Sequence, residues 1–225
     1  RLDTVEYMDP SFVRQIREAA KEVKKNAYVV GEVMGVATSW FKSKSLDALM
    51  NYKLRDLIID FFIKEVINAT EFNQQLYSFR QTYTDSVNPF MFNLLDSHDV
   101  PRFLTLCNGN VEKMKLAVIF LMTYIGAPVI YYGDEVGMMG GEDPDCRRTM
   151  IWDKSRQNID LLNFYKKIIK LRRESLALRR GNFKCLYQQG GLYCFSRQLN
   201  EEKIIITINN SNKDEEINIS LPEIK

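Results

Sequence analysis

The sequence has no hydrophobic run long enough to cross a membrane and no excess of charge of either sign. The apolar stretch 116–128 falls short of the roughly 18 residues that a membrane helix requires. The 31 lysines and arginines nearly balance the 29 aspartates and glutamates, so the net charge is +2. This balance gives no electrostatic attraction to nucleic acid or to an anionic membrane, and neither partner is expected.

Cysteine is scarce, and its spacing does not fit a metal site. No two of Cys107, Cys146, Cys185 and Cys194 form a C-x-x-C pair, which argues against zinc. Cys185 and Cys194 flank a Gly-Gly turn and could face each other across a hairpin, but free thiols in a reducing compartment are favoured. A cytoplasmic location is therefore expected. The chain opens at Arg1 without a methionine, which predicts a fragment whose upstream part is missing.

Hydrophobic periodicity predicts alternating strands and helices up to about residue 180. The predicted strands are 27–33, 46–50, 90–95 and 128–132, and the predicted helices are 10–26, 54–67, 71–83, 111–124 and 158–178. Such alternation indicates a parallel sheet covered by helices. With residues 1–3 as the end of a further strand, five strand ends are present, too few to close an eight-stranded barrel.

The pattern changes after residue 181, where the period becomes two. Short antiparallel strands are predicted at 183–188, 192–198, 203–209 and 215–221. The preceding parallel sheet, being open, has unpaired edges that tend to pair with other strands. Self-association as a homo-oligomer, or pairing with a complementary fragment, is therefore expected.

Histidine occurs once, as His98, just after the predicted strand that ends at residue 95. Two other apolar runs end in an acid in the same way, at Asp3 and Glu32. In barrels of alternating strands and helices, the carboxyl ends of the strands carry the catalytic groups. Asp3, Glu32, His98 and Asp99 are therefore candidates for a single site that the fold assembles.

Asp3 and Glu32 lie at consecutive strand ends and could supply the two acids that glycosidic bond cleavage requires. Adjacent parallel strands lie about 4.8 Å apart, close to the ~5–5.5 Å between the carboxyl groups of a retaining enzyme. Arg1, two residues before Asp3, would lie on the same face and keep Asp3 ionised. On spacing alone, however, a surface Arg1–Asp3 ion pair and a helix-capping Glu32 are favoured.

The chemistry of His98 and its neighbours stays open at this point. His98 and Asp99 could bind a polar ligand, but a structural histidine bonded to the backbone fits equally well. A serine nucleophile is not supported, because no G-x-S-x-G elbow exists. At Asp134 and Glu135 a turn is favoured over a further edge of the site. The polar loop 137–152 is long for a compact unit, and such loops are usually functional.

Four motifs in order resemble the α-amylase superfamily of glycoside hydrolases. They are Arg1-Leu2-Asp3, Gly31-Glu32-Val33, Leu94-Leu95-Asp96-Ser97-His98-Asp99 and Tyr131-Tyr132-Gly133-Asp134-Glu135. Segments 46–52, 98–102 and 140–148 are most similar to the neopullulanase and cyclomaltodextrinase branch. The resemblance implies an α/β fold in which residues 1–180 are the C-terminal part of a (β/α)8 TIM barrel. Residues 181–225 would begin a C-terminal antiparallel β-domain.

The resemblance also implies a retaining hydrolase that cleaves α-glucosidic bonds in maltodextrins, cyclodextrins or pullulan. Asp3 would be the nucleophile that forms a covalent glycosyl-enzyme, and Glu32 the general acid and base. Asp99 and His98 would bind the sugar, and Arg1 would keep Asp3 charged. No metal ligand is assigned. Calcium, which many relatives use, is left open because its ligands would lie partly upstream.

The sequence departs from this branch beside both proposed catalytic acids. Glu6 and Tyr7 stand where the branch commonly has Asn and Glu, and Met34 stands where it often has Trp. These positions lie near acceptor subsites, so the linkage preference is left open. The alternatives are an α-glucan transferase and a non-catalytic half-barrel that serves as an interaction domain, the latter because the family's first three strands are absent.

Overall fold

The structure is a computed structural model, which describes residues 1–83 and 85–219. The helices are α1 (Pro10–Val23), α2 (Ser39–Lys42), α3 (Tyr52–Phe62), α4 (Ala69–Thr82), α5 (Phe103–Leu106), α6 (Val111–Thr123), α7 (Ile159–Glu174) and α8 (Leu176–Arg180). The strands are β1 (Val30–Gly31), β2 (Ala48–Leu49), β3 (Phe92–Asn93), β4 (Ala127–Pro128), β5 (Asn182–Gln189), β6 (Leu192–Leu199) and β7 (Glu202–Asn209). None of the helices in these two ranges combines the length and the apolarity that crossing a membrane requires.

The strands before residue 130 lie side by side in the order of the chain. Leu2 pairs with Gly31, β1 with β2, Met50 with Phe92, and β3 with β4, and every pairing is parallel. Successive parallel strands separated by helices build up a barrel wall. The predicted α/β fold with part of a TIM barrel is confirmed.

The strands are shorter than predicted, and just before β1 a side chain replaces a ladder bond. Val29 N donates to the Asp47 carboxylate at 2.9 Å, while Asp47 N donates to Val29 O at 2.9 Å. At the other edge, Val129 N still donates to Asn93 O at 2.7 Å. In the described part of the chain, β4 pairs only with β3, so no second neighbour extends it to residue 132.

The predicted helix 158–178 is two helices, α7 and α8, because Ser175 leaves the helical conformation. Ser175 has φ −89° and ψ 121°, and its Oγ accepts from Leu178 N at 3.0 Å. Glu202 accepts from the Ser175 hydroxyl at 2.5 Å and from the N–H groups of Leu176 and Ala177. A cap and a carboxylate at the start of α8 stabilise the break.

Two further helix limits differ from the prediction for local reasons. Helix α3 ends at Phe62 rather than at residue 67, and Glu65 beyond it adopts a left-handed φ of 54°. Helix α4 begins at Ala69, because Asn68 and Glu71 form a capping box there. The helix therefore begins two residues before its predicted start.

The three strands β5, β6 and β7 form an antiparallel sheet, as predicted. Cys185 pairs with Phe195 and Cys194 pairs with Tyr187, so the two thiols are not directly opposite each other. All four cysteines are free. The predicted strand 215–221 is wrong for residues 215–219, which have no regular structure, and residues 220 and 221 lie outside the described part.

An aromatic core joins this sheet to the helices of the first part. Phe61 and Phe72 stack with ring centroids 4.5 Å apart. Tyr193 of β6 contacts Phe72 edge-on at 5.4 Å, and Phe195 contacts Phe120 at 6.0 Å. Offset-stacked and edge-to-face pairs are the favoured geometries for aromatic rings. The sheet is therefore packed into the same hydrophobic core as α3, α4 and α6.

Two buried arginines bind the C-terminal end of α6. Arg172 of α7 donates to Met122 O at 2.6 Å, and Arg197 of β6 donates to Thr123 O at 2.6 Å. Burial lowers the pKa of each guanidinium to about 10. Cations are favourable here because the carbonyl end of a helix is the negative end of its dipole.

Candidate active site

The pairing of Leu2 with Gly31 places Asp3 beside Glu32. Glu32 N donates to Leu2 O at 3.0 Å, which fixes the register of the two segments. The residue that follows each member of this pair is an acid, and neighbours in parallel register point to the same face of a sheet. The strand-end positions therefore bring the two carboxyl groups together.

Glycine at position 31 allows the close approach on which this register depends. A Cβ added at Gly31 would lie 2.5 Å from Leu46 Cδ1 and 2.9 Å from Val5 Cγ1. Contacts that short force the neighbouring atoms to move. A side chain at this position would require the side chains of Leu46 and Val5 to shift.

Arg1 lies among the predicted catalytic groups. Its guanidinium is 2.8 Å from Asp3 Oδ1, 2.6 Å from Glu32 Oε1 and 3.2 Å from His98 Nε2. One ligand atom of each of Asp3, Glu32 and His98 lies within 4.8 Å of the others. The Arg1–Asp3 pair favoured on spacing exists, but Glu32 is part of the same cluster and does not cap the helix that follows it.

His98 and Asp99 extend this cluster. His98 Nε2 lies 3.2 Å from Asp99 Oδ2. Asp99 N donates to Ser97 Oγ at 3.1 Å, and Ser97 Oγ lies 2.9 Å from the hydroxyl of Tyr52, a buried residue at the start of α3. Tyr52 thereby holds the turn that carries both residues. Sequence reasoning assigned Tyr52 no role in the site, because its contact with Ser97 depends on where α3 packs.

The long loop 137–152 contributes Arg147 to the same place. Arg147 Nη2 lies 3.3 Å from Asp99 Oδ1, and its Nε donates to His98 O at 2.8 Å. Asp143 Oδ1 lies 2.7 Å from the same Nε. The sequence marked this loop by its length but identified no residue in it. A basic residue among acids in a Gly-rich loop was the available signal.

A buried carboxyl pair lies behind this edge of the sheet. Asp96 Oδ1 accepts from Phe103 N at 2.6 Å, and Asp134 Oδ1 accepts from Arg102 Nη1 at 2.9 Å. Burial raises the pKa of Asp134 well above its usual value, and contact with Asp96 adds to the rise. Burial also raises the pKa of Asp96. Asp134 belongs to a buried turn, Asp134–Val136, as favoured from the sequence, and its carboxyl group pairs with the buried Arg102.

Asp3 and Glu32 have unequal surroundings although they are neighbours. The side chain of Glu32 is 8% exposed and that of Asp3 is 69% exposed. Burial raises the pKa of Glu32 to about 6, and Asp3 and Asp99 add to the rise, which the Thr4 N–H bond and the Arg1 charge only partly oppose. Unequal environments are what allow one carboxyl to stay protonated beside an ionised one.

Asp3, Glu32 and His98 are also the one set of potential metal ligands found within residues 1–83 and 85–219. The guanidinium of Arg1 contacts all three, so a metal cation would meet a positive charge at short range. Calcium prefers six to eight oxygen ligands, and this set offers two carboxylates and an imidazole nitrogen. These residues do not fit a calcium site.

The fold and the site together define an α/β domain of the TIM-barrel type with two carboxyl groups at adjacent strand ends. Residues 5–158 match the family described as "Alpha amylase, catalytic domain", and residues 181–225 match "Alpha-amylase C-terminal domain". The chain belongs to the α-amylase family.

Similar proteins place the chain in the branch that its motifs indicated. A cyclomaltodextrinase of Thermoanaerobacter pseudethanolicus is 48% identical over 217 residues, which are 96% of this chain and 38% of that protein. Neopullulanase 2 of Thermoactinomyces vulgaris is 41% identical over 225 residues, 99% of this chain and 38% of that protein. The chain thus spans less than half the length of these curated relatives.

A solved structure shares the fold. The cyclic alpha-maltosyl-(1→6)-maltose hydrolase from Arthrobacter globiformis, in complex with cyclic alpha-maltosyl-(1→6)-maltose, has a TM-score of 0.87 and 30% identity. The match covers 92% of this chain and 47% of that chain. The resemblance read from the motifs therefore holds over nearly the whole sequence.

Proposed function

We propose that the protein hydrolyses α-glucosidic bonds in maltodextrins, cyclodextrins or pullulan, with retention of the anomeric configuration. The observation that carries this proposal is the separation of Asp3 and Glu32, whose closest ligand oxygens lie within 4.8 Å. Retaining glycosidases hold their carboxyl groups about 5–5.5 Å apart, whereas inverting enzymes leave about 6.5–9.5 Å for a water molecule. The short separation supports direct attack on the sugar.

The reaction would proceed in two displacements. The Asp3 carboxylate attacks the anomeric carbon while Glu32 donates its proton to the departing glycosidic oxygen, which breaks the C–O bond. The glucosyl group is then esterified to Asp3. In the second step, the Glu32 carboxylate takes a proton from water, the water oxygen attacks the anomeric carbon, and Asp3 leaves as a carboxylate.

Arg1 and the burial of Glu32 support the different roles of the two acids. Glu32, with a pKa of about 6, retains its proton to a higher pH than an ordinary glutamic acid. Arg1, 2.8 Å from Asp3, pairs with the carboxyl group that would attack the sugar. Once Glu32 has lost its proton, Arg1 also stabilises that carboxylate, which acts as base in the second step.

Asp99, His98 and Arg147 are proposed to bind the sugar that reacts. The Asp99 carboxylate would accept hydrogen bonds from sugar hydroxyl groups. It is held between His98 at 3.2 Å and Arg147 at 3.3 Å. His98 would donate a hydrogen bond to the same sugar. A carboxylate fixed from two sides loses little side-chain entropy when substrate binds, which is the benefit of preorganisation.

An α-glucan transferase would use the same intermediate and differ in its second step, where a sugar hydroxyl replaces water. Tyr7 and Met34 are exposed beside the two acids, so both are accessible to an acceptor. Products measured with maltotriose alone and with added glucose distinguish the two activities. Hydrolysis predicts shorter products throughout, whereas transfer predicts products longer than the donor.

The role of Asp3 is tested in the full-length protein. Asp3→Asn is expected to lower kcat on maltodextrin by several orders of magnitude, while Asp56→Asn, which removes an exposed acid of α3, should leave it unchanged. In Asp3→Gly, azide should restore turnover and give a glycosyl azide of inverted configuration. An unchanged rate in Asp3→Asn would remove the mechanism.

The domain division, oligomeric state and location are further parts of the proposal. Residues 1–180 would belong to the barrel and residues 181–225 to a β-domain. The four free thiols support a reducing, cytoplasmic location. In the described chain, β4 and the Leu2 segment each have one strand neighbour, and these edges would pair with a second copy of the protein or with a complementary fragment. Size-exclusion chromatography with light scattering tests it, and a folded monomer would contradict it.

A further inference from the structure

A cavity lies at the amino-terminal ends of the parallel strands, whereas the candidate active site lies at their carboxyl-terminal ends. Its volume is about 460 Å³, and Tyr28, Asp47 and Phe90, which precede β1, β2 and β3, are among the residues that line it. Tyr28 and Glu32 are four residues apart along one strand, a distance of about 13 Å at ~3.3 Å per residue. Small-ligand sites have volumes of about 300–1,000 Å³, so the cavity has a suitable size.

The charged side chains that line this cavity are three cations and one anion. They are Arg17 and Lys21 of α1, Lys44 after α2, and Asp47. Arg17 Nη2 lies 2.7 Å from Asp47 Oδ1, and Lys21 Nζ lies 3.1 Å from Asp47 Oδ2. Asp47 thus fixes two of the cations in the cavity wall, and positive charge remains in excess.

The cations have hydrogen-bonding capacity left after these contacts. Arg17 binds Asp47 through Nε and Nη2, whereas a guanidinium offers five N–H donors. Within the described residues, no ion pair or side-chain hydrogen bond engages Lys44, which is exposed. Lys44 also adopts a left-handed φ of 55°, a conformation that a lysine rarely takes.

Aromatic side chains form the rest of the wall. Tyr28, Phe41 and Phe90 line the cavity, and the Tyr28 hydroxyl donates to Phe90 O, which fixes the ring of Tyr28. Aromatic surface next to fixed cations suits a ligand with both a ring and an anionic group. A phosphate monoester has a charge of about −1.5 to −2 at neutral pH, and Arg and Lys are its usual partners.

We propose that this cavity binds a phosphate monoester that is attached to a sugar or nucleoside ring. The phosphate contacts Lys44 and the free donors of Arg17, and the ring packs against the aromatic wall. The ligand would bind at the amino-terminal ends of the strands and the glucan at their carboxyl-terminal ends, so the two would not compete.

Calorimetric titration of the full chain with glucose 1-phosphate, AMP and inorganic phosphate tests the proposal. At least one of the two organic phosphates should bind more tightly than inorganic phosphate, and the tighter one identifies the ring. Lys44→Gln should weaken that binding about tenfold or more, as expected for loss of a charge-assisted bond. Lys24→Gln removes a nearby exposed charge that does not line the cavity and should leave binding unchanged.

Lys44 is the residue to change because its side chain is exposed and the fold does not depend on it. Arg17→Gln would also remove one of the two cations that pair with Asp47 and could unfold the chain. The proposal is overturned if neither organic phosphate binds, or if inorganic phosphate binds as tightly as both. It is also overturned if Lys24→Gln weakens binding as much as Lys44→Gln does.

Discussion

The two ends of the parallel strands each carry a carboxyl group beside an arginine, yet the pKa values of the two groups are shifted in opposite directions. At the amino edge, Asp47 accepts from Arg17, Lys21 and the Val29 N–H. Burial raises the pKa of Asp47, but these three bonds outweigh it, and the net pKa lies below its usual value. Asp47 is therefore fully ionised at neutral pH and has a structural role.

At the carboxyl edge, Glu32 shares its arginine with a second carboxyl group. Arg1 is divided between Glu32 and Asp3, and burial raises the pKa of Glu32 to about 6. An arginine within contact distance thus does not decide the charge state of an acid. The balance of burial, hydrogen-bond donors and neighbouring charges decides the charge state. At the active site, the donors to Glu32 do not outweigh its burial.

The largest expected effect comes from removing the proton donor at the carboxyl edge. Glu32→Gln should lower kcat on maltodextrin by about 10²- to 10⁴-fold, because the leaving oxygen is no longer protonated. The same variant should be much less impaired in cleaving α-glucosyl fluoride, whose leaving group needs no proton. Steady-state kinetics with both substrates tests this, and equal losses on the two would contradict the role of general acid.

The next effect should appear at the amino edge, and in stability rather than activity. Asp47→Asn removes the charge that holds Arg17 and Lys21 and should lower the free energy of unfolding by about 2 kcal/mol. Asp60→Asn, in a more exposed pair with Lys64, should cost less than about 0.5 kcal/mol. Urea unfolding measures both. Equal costs would mean that the Asp47 cluster is no more than a surface ion pair.

The raised pKa of Glu32 gives a third test, through pH. The value of kcat/KM should fall above about pH 6, tenfold per pH unit at the limit, as the free enzyme loses this proton. The pKa is higher in the folded state than the usual 4.5, so the folded state binds more protons between about pH 4.5 and 6. This contribution to stability is therefore lost as pH rises through that range. Glu32→Gln should abolish it.

The smallest effect is expected for Asp134→Asn, which is the same change of residue type as Asp47→Asn at another position. Burial and contact with Asp96 raise the pKa of the buried Asp134, which favours its uncharged form, and Asn is uncharged and nearly isosteric. We expect a change below about 1 kcal/mol in urea unfolding, within the range of near-isosteric changes. A loss larger than that of Asp47→Asn would show that Asp134 is ionised.

The sequence predicted the residues whose positions follow from chain order, and not those that depend on tertiary contacts. Asp3 and Glu32 could be found because neighbouring parallel strands place their ends together. Arg147 could not, because its contact with Asp99 spans 48 residues and depends on the conformation of a loop. The break at Ser175 was missed for a similar reason, since Glu202 of a later strand stabilises it.

The anchorage of Arg197 has a consequence for how the protein melts and how it could be shortened. Its guanidinium, 1% exposed, donates to Thr123 O and to Gly181 O. Truncating the chain after residue 181 would leave Thr123 O without this donor and would expose the ring of Phe120 to solvent. The last three strands thus cover the hydrophobic core and are part of the folded unit. Heating should give one cooperative transition in which they and α6 unfold together.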